Sequence, residues 1–350
     1  MNTLLFSLDS RVELANAIIK HANECVNMEE QNKVELGELR VQKFSDGELC
    51  VDFTDSVRGK RVYILSSPNT SDEIIKLTLA MDAARRSGAH EIIPVLPYFP
   101  YARQDKKDQS RGPIGAKVIA GMIELCGATS IITFDLHADQ IQGFFNIPVI
   151  HIQGKNVFDE YISQIHTKDT ILCGPDAGSG KRVKRMKDQM SQYYNINLNY
   201  IMLDKTRKEA NVIDEMIIIG DVTGKDVIIL DDMVDTAGTL CKAAEVIKDA
   251  GAKSVRAIIA HGVLSGPAFE RIGESKLTEL IISDSLRKPF TIDVYTKYPL
   301  DMVKDGERLW DSISMGNDKI VEISVAKQIG LAISALNNNF SYECLKTNCV

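Results

Sequence analysis

Short apolar, β-branched runs alternate with longer stretches of helical spacing along the whole chain. Arg61-Val62-Tyr63-Ile64-Leu65 has the unbroken apolar character of a buried strand. Ser71 to Ser87 follows with helical spacing; Ile74, Ile75, Thr78, Leu79, Asp82 and Ala83 trace its expected inward face, and Gly88 stops it. Glu91 to Leu96 is the next strand. The order returns as strand Val227 to Leu230, helix Thr239 to Ala250, Gly251 and strand Ser254 to Ala260. Strands are also expected at Ser130 to Phe134 and Thr170 to Cys173, and helical spacing resumes at Val321 to Leu336. Strands separated by helices predict an α/β protein whose mainly parallel sheets are flanked by helices.

The two halves resemble one another. Gly88-Ala89-His90-Glu91-Ile92-Ile93 faces Gly251-Ala252-Lys253-Ser254-Val255-Arg256, and Val62-Tyr63-Ile64-Leu65 faces Val227-Ile228-Ile229-Leu230, at offsets of 163 and 165 residues. A near-constant offset suggests a duplicated domain, although Gly-Ala before a strand is common punctuation and recurs at Gly127-Ala128. The expected boundary lies near His151 to Asp159, giving domains over 1–155 and 156–324, with 325–350 packed on the first. Asp284 to Asn317, with Pro289, Pro299 and the single Trp310, reads as an irregular surface excursion.

Composition narrows the function classes. A chain of 350 residues exceeds one typical domain. Its net charge of −7 argues against a nucleic-acid binder, which needs a basic face. The seven cysteines are scattered and never spaced C-x-x-C, so neither a disulfide frame nor a zinc site is expected. Asp9 and Arg11 break the short apolar start, which therefore does not read as a signal peptide, and no run is long enough to cross a bilayer. A cytoplasmic protein without a membrane partner is the expectation.

Five segments carry candidate chemistry. In Val227 to Leu240 a buried strand delivers Asp231 and Asp232 to its carboxyl end, and Asp235, Thr236, Ala237, Gly238 and Thr239 lead into a helix. Open α/β sheets bind ligands at that end, and a helix N-terminus holds phosphate. The acids could accept sugar hydroxyl hydrogens or hold a metal; the bland alternative is a capped turn. Pro97 to Asp108 follows a strand with Arg103 suited to a phosphate, or it is a solvated loop. His137, in Thr133 to Gln140, lies just past a strand between acids; a lone His is more often structural. Gly174 to Arg182 resembles a phosphate loop but lacks the Walker A spacing, so an ordinary strand-to-helix turn competes. Asp204 to Asn211 is a solvated charged segment or a loop that closes cations over a reacting phosphate.

Taken together, the chain resembles the ribose-phosphate diphosphokinase (PRPP synthase) family. Phe44-Ser45-Asp46-Gly47-Glu48, Tyr101 to Asp108, Asp135-Leu136-His137, Pro175-Asp176-Ala177-Gly178, Lys205-x-Arg207 and Asp231 to Thr239 match its motifs in order, over about Phe6 to Asp284. The resemblance implies two duplicated phosphoribosyltransferase-like domains and transfer of the β,γ-diphosphate of ATP to the 1-hydroxyl of ribose 5-phosphate, giving PRPP and AMP. It implies that Phe44, Asp46 and Glu48 hold adenine from a neighbouring subunit, that Arg103, Gln104 and Asp108 contact ATP, and that His137 and Asp176 meet Mg²⁺. It gives Asp231 and Asp232 the ribose hydroxyls, Asp235, Thr236, Ala237, Gly238 and Thr239 the 5-phosphate, and Lys205 and Arg207 the role of closing cations. It further implies a homo-oligomer built from dimers, up to a hexamer.

The chain departs from the family at Ser179-Gly180, where relatives carry Gly-Ala, at Ala138, where they often carry Ser, and in its longer 284–317 stretch. Two rivals stay in view. A phosphoribosyltransferase that consumes PRPP explains the Asp231 turn but not the Phe44 and Arg103 segments. A non-catalytic, synthase-associated regulatory subunit is the other, and such relatives depart from the active pattern at the closing loop.

Overall fold

Buried strands are set by apolar runs that helices cover on both faces, and two separate sheets are built in this way. The computed structural model describes residues 2–9, 11–24, 32–206, 215–286, 294–295, 303–304, 307–308, 313–315 and 319–342. It divides into two compact units, Met1–Gln153 with Ser285–Arg287 and Val325–Val350, and Gly154–Asp284 with Lys288–Ser324.

The first unit opens with β1 (Thr3–Ser7), α1 (Val12–Glu24), β2 (Val34–Leu36), and a hairpin of β3 (Leu39–Lys43) and β4 (Leu49–Phe53). It continues with β5 (Arg61–Leu65), α2 (Ser71–Arg86), β6 (Glu91–Leu96), α3 (Gly115–Leu125), β7 (Ile131–Phe134), a 3₁₀ turn over Asp139–Phe144, and β8 (Val149–Ile152). The sheet order is β2-β1-β5-β6-β7-β8, and every neighbouring pair is parallel. The hairpin stands apart as its own two-stranded sheet, docked by the edge-to-face pair Phe6–Phe53 with centroids 4.7 Å apart.

Helix α2 corrects one expectation. Its period is as read, but its phase is not: Ile74, Leu77, Ala80, Met81 and Ala84 are buried, whereas Ile75 and Leu79 are 46% and 38% exposed. Apolar residues occupy both faces, and small Ala80 and Ala84 let the backbone lie close on the sheet. Close packing over Leu77 and Met81, at roughly 2 kcal/mol per buried side chain, outweighs the exposure of the other face.

The second unit contains α4 (Lys155–Ile165), β9 (Thr170–Gly174), a 3₁₀ turn over Ala177–Ser179, α5 (Gly180–Tyr194), β10 (Asn199–Thr206) and β11 (Glu215–Ile219). Then come β12 (Asp226–Val234), α6 (Gly238–Asp249), β13 (Ser254–Gly262), α7 (Ala268–Glu274) and β14 (Glu279–Ser283). Short strands β15 (Val294–Tyr295), β16 (Val303–Lys304), β17 (Glu307–Arg308) and β18 (Ile313–Met315) precede β19 (Ile320–Ile323). The large sheet runs β11-β10-β9-β12-β13-β14-β19-β18-β15, parallel from β10 to β19 and antiparallel at both edges. The stretch read as an irregular excursion thus contributes strands β15 to β18; Asp284 to Leu286 form a turn after β14, and the remaining residues of the stretch lie outside the described residues.

Two further expectations are corrected. Val321 to Ile323 is strand rather than helix: its β-branched residues pair with Ile281 to Ser283 of β14. The last helix, α8 (Ala326–Asn337), starts only after it and belongs to the first unit. Asp204 to Thr206 is likewise not a free charged segment, because it pairs antiparallel with Glu215 to Ile217. Pairing with the apolar strand β11 satisfies its backbone despite its charge.

Candidate functional site

In the second unit three adjacent parallel strands, β10, β9 and β12, end on the same edge of the sheet. Strand β12 is longer than its apolar run suggests and carries Asp231 and Asp232 within it. Register places Asp231 beside Ile259 and Met233 beside His261 of β13, so the acids are held by sheet pairing and not by a loose loop. Asp232 is buried and Asp231 half-buried, and the Asp232 N–H donates to Asp231 Oδ1 at 2.9 Å. Burial, then the charges of Asp232 and Asp176, push the Asp231 carboxyl well above the usual carboxylate range, while Arg182 pulls against this. Mutual repulsion of this kind marks a place that favours a cation or a hydroxyl donor.

The turn after β12 is shaped for an anion. Ala237 sits in the left-handed region with φ 61°, which costs an L-residue roughly 1 kcal/mol, and α6 starts immediately after it. The N-cap residue Ala237 gives α6 no side-chain cap. The Cys241 N–H donates to the Ala237 carbonyl at 2.9 Å, and the N–H groups of Gly238, Thr239 and Leu240 before it have no acceptor within the helix or from its cap. Thr236 and Thr239 are exposed beside them. The turn is braced by Ser265 from the β13–α7 connection and by Arg271 from α7. Ser265 Oγ donates to Asp235 Oδ1, the Ser265 N–H donates to the Asp235 carbonyl at 3.1 Å, and Arg271 Nη1 donates to the Thr236 carbonyl at 3.0 Å. Ser265 and Arg271 were missed by sequence reasoning. They lie 30 and 35 residues beyond their partners, and no local spacing marks them.

Asp176 follows β9 and caps the short 3₁₀ turn, its Oδ1 accepting from the Ser179 N–H at 3.0 Å. The cap closes on Ser179, so the departure from the family pattern there preserves the turn. Lys205 stands near the end of β10, and Arg207 lies outside the described residues.

In the first unit the β6–α3 connection carries Arg103, Gln104 and Asp108, all exposed. It bends sharply at Tyr101, φ 57°, and is pinned where the Gln104 N–H donates to the Tyr101 carbonyl at 2.9 Å. His137 is exposed in the turn after β7, which begins at Asp135 with φ 40°. That turn is fixed by the Leu136 N–H donating to His151 Nε2 at 3.0 Å, which leaves the ring proton on Nδ1, 3.9 Å from Asp139. Gln140 Nε2 donates to Asp105 Oδ2 at 3.2 Å, tying the Arg103 and His137 segments together. Phe44, Asp46 and Glu48 are elsewhere, in the β3–β4 turn, where Glu48 N–H donates to Asp46 Oδ1 at 3.1 Å and the Phe44 ring is 45% exposed. Among the described residues no group of three or more His, Cys, Asp or Glu is arranged to hold a metal ion.

Two family models match this chain: the N-terminal domain of ribose phosphate pyrophosphokinase over residues 3–127, and the phosphoribosyl synthetase-associated domain over residues 181–297. The chain belongs to the ribose-phosphate pyrophosphokinase family. The ribose-phosphate pyrophosphokinase of Oceanobacillus iheyensis is 44% identical over 287 residues, covering 81% of this chain and 86% of the relative. Ribose-phosphate pyrophosphokinase 1 of Listeria monocytogenes is 38% identical over 344 residues, covering 97% and 96%. The phosphoribosylpyrophosphate synthetase crystal structure from Mycobacterium smegmatis superposes with a TM-score of 0.79 at 30% identity, covering 97% of this chain and 100% of that one. The fold is that of the pyrophosphokinase family: two phosphoribosyltransferase-like domains, each a mainly parallel sheet flanked by helices. No helix among the described residues is long and apolar enough to cross a membrane.

Proposed function

We infer that this chain is a ribose-phosphate pyrophosphokinase, transferring the diphosphate of ATP to the 1-hydroxyl of ribose 5-phosphate to give PRPP and AMP. The observation that carries this reading is the pairing of two strand-borne acids with an uncapped helix N-terminus behind left-handed Ala237. Acids accept the hydroxyl hydrogens of a sugar, and an open helix N-terminus accepts its phosphate. Asp231 and Asp232 are assigned to the ribose hydroxyls, and Asp235, Thr236, Ala237, Gly238 and Thr239 to the 5-phosphate.

Arg103, Gln104 and Asp108 are assigned to ATP, as are Phe44, Asp46 and Glu48 through the hairpin turn of a neighbouring copy. Phosphoryl-type transfer depends on in-line positioning and on neutralising spread-out charge. Arg103, Lys205 and Arg207 supply cationic groups for that purpose. No side chain is assigned as general base.

The donor set fits Mg²⁺, a hard cation that takes few protein ligands and completes its shell with water and phosphate. Asp176 adds to the repulsion at Asp231, and a bound cation would relieve it. His137 and Asp176 are each assigned a contact with Mg²⁺–ATP; when bound, the ion offsets triphosphate charge. A cytoplasmic homo-oligomer based on dimers completes the proposal.

The test is a coupled assay for AMP and PRPP on the purified full chain with Mg²⁺, ATP, ribose 5-phosphate and inorganic phosphate. Equimolar AMP and PRPP without any added base supports the reading and excludes a PRPP-consuming transferase. Absence of AMP release supports a regulatory subunit instead.

A further inference from the structure

We propose that Arg271 is a positioning residue that holds the sugar-phosphate turn in its binding shape from behind. The proposal rests on the assignment of Asp231 to Thr239 to ribose 5-phosphate. The turn needs support because its central residue, Ala237, is held at φ 61° without the freedom of a glycine. A Cβ-bearing residue stays there only where surrounding contacts fix the peptide groups on either side.

Arg271 makes such a contact. Its Nη1 donates to the Thr236 carbonyl at 3.0 Å, immediately before the left-handed residue. The residue immediately after it makes room for the same guanidinium: a Cβ built on Gly238 would stand 3.3 Å from Arg271 Nη1. The link is returned from the helix side, where the Cys241 thiol in the first turn of α6 donates to the Arg271 carbonyl at 3.5 Å. Arg271 therefore spans the turn from Thr236 to Cys241, and Ser265 holds its other flank through Asp235. With the Thr236 carbonyl turned toward the guanidinium, the N–H groups that follow are left for the phosphate.

The experiment compares Arg271→Met, Arg271→Lys and Arg271→Met combined with Ala237→Gly in the full chain. It reads the thermal shift induced by ribose 5-phosphate alone, and KM for ribose 5-phosphate against KM for ATP. Arg271→Met is expected to weaken ribose 5-phosphate binding about tenfold, the scale of one lost charge-assisted hydrogen bond, with KM for ATP held within about twofold. Arg271→Lys recovers part of the loss and stands in if Arg271→Met does not fold. Adding Ala237→Gly recovers most of it, because glycine adopts the left-handed turn unaided.

Unchanged ribose 5-phosphate binding in Arg271→Met, or an equal loss for both substrates, overturns the brace. Failure of Ala237→Gly to rescue also overturns it, and points to direct contact of Arg271 with the phosphate. Failure of the unaltered protein to bind ribose 5-phosphate is distinguishable from these, and overturns the site assignment together with the brace.

Discussion

The β5–α2–β6 segment of the first unit and the β12–α6–β13 segment of the second follow the same path at one end and part at the other. At the amino ends of the strands their backbone bonds correspond one for one. Gly59 N–H donates to the Gly88 carbonyl at 2.8 Å and Gly224 N–H to that of Gly251 at 2.9 Å. His90 N–H reaches the Lys60 carbonyl and Lys253 N–H the Lys225 carbonyl, both at 2.8 Å. Gly88 and Gly251 end their helices at φ 81° and 94°. These correspondences give the weak sequence repeat a structural basis.

At the carboxyl ends the two segments diverge. Thr70 and Glu73 close a capping box on α2, and Glu73 also accepts from the Asn69 N–H at 2.8 Å. In the second unit β12 runs on through two acids, and α6 begins uncapped. A helix that carries its own carboxylate at the N-terminus is satisfied and repels anions. One that lacks it keeps its donors for a ligand. The shared end is what the fold requires, and the divergent end is where binding is assigned.

The comparison is broken most severely by neutralising the acids. Asp231→Asn with Asp232→Asn is expected to lower kcat/KM for PRPP formation by at least ~10²-fold, read in the AMP-coupled assay. Activity within a few-fold of the unaltered chain would detach these acids from the sugar. Making the open helix resemble the closed one comes next. Thr239→Glu puts a carboxylate in the exposed first turn of α6 and should raise KM for ribose 5-phosphate by about tenfold or more while Tm holds or rises.

The converse change is smaller. Thr70→Ala removes the cap from α2 and should cost about 1 kcal/mol in a denaturant titration, with PRPP formation unchanged.

The last expectation concerns the pH dependence of the ligand-free protein. The Asp231 carboxyl is raised on folding, so the folded state binds more protons than the unfolded one above the ordinary carboxylate value. Stability from this group is present at low pH and is lost as pH rises toward the folded value. The Tm of Asp231→Asn should therefore exceed that of the unaltered chain by a margin that widens from about pH 5 to about pH 8. A constant margin would show that the carboxyl is not strained by its neighbours.

Much of this arrangement was legible along the chain. The order of parts from Val227 to Thr239 was readable because they are contiguous: an apolar strand, acids, small residues and a helix start; that the strand runs on through Asp231 and Asp232 to Val234 was not. The β5, α2 and β6 boundaries were readable within a residue for the same reason. The inward face of α2 was not, since Ile75 and Leu79 make the outer face nearly as apolar as the inner one. The strand character of Asp204 to Thr206 was hidden as well, because charge suggests a solvated segment and says nothing of a pairing partner.

Most local order, then, was determined by the sequence alone: which apolar runs become strands, which periodic stretches become helices, and which acids and hydroxyls accompany them. Asp204 to Thr206 and Val321 to Ile323 are exceptions that strand pairing decided. Periodicity and turn chemistry act between near neighbours, so they can be read from near neighbours. Only the tertiary structure decided that β9, β10 and β12 end side by side, and that Ser265 and Arg271 return to support Asp235 and Thr236. Those choices follow from sheet order and from chain segments that meet across 30 or more residues, where no short-range pattern is needed to bring them together.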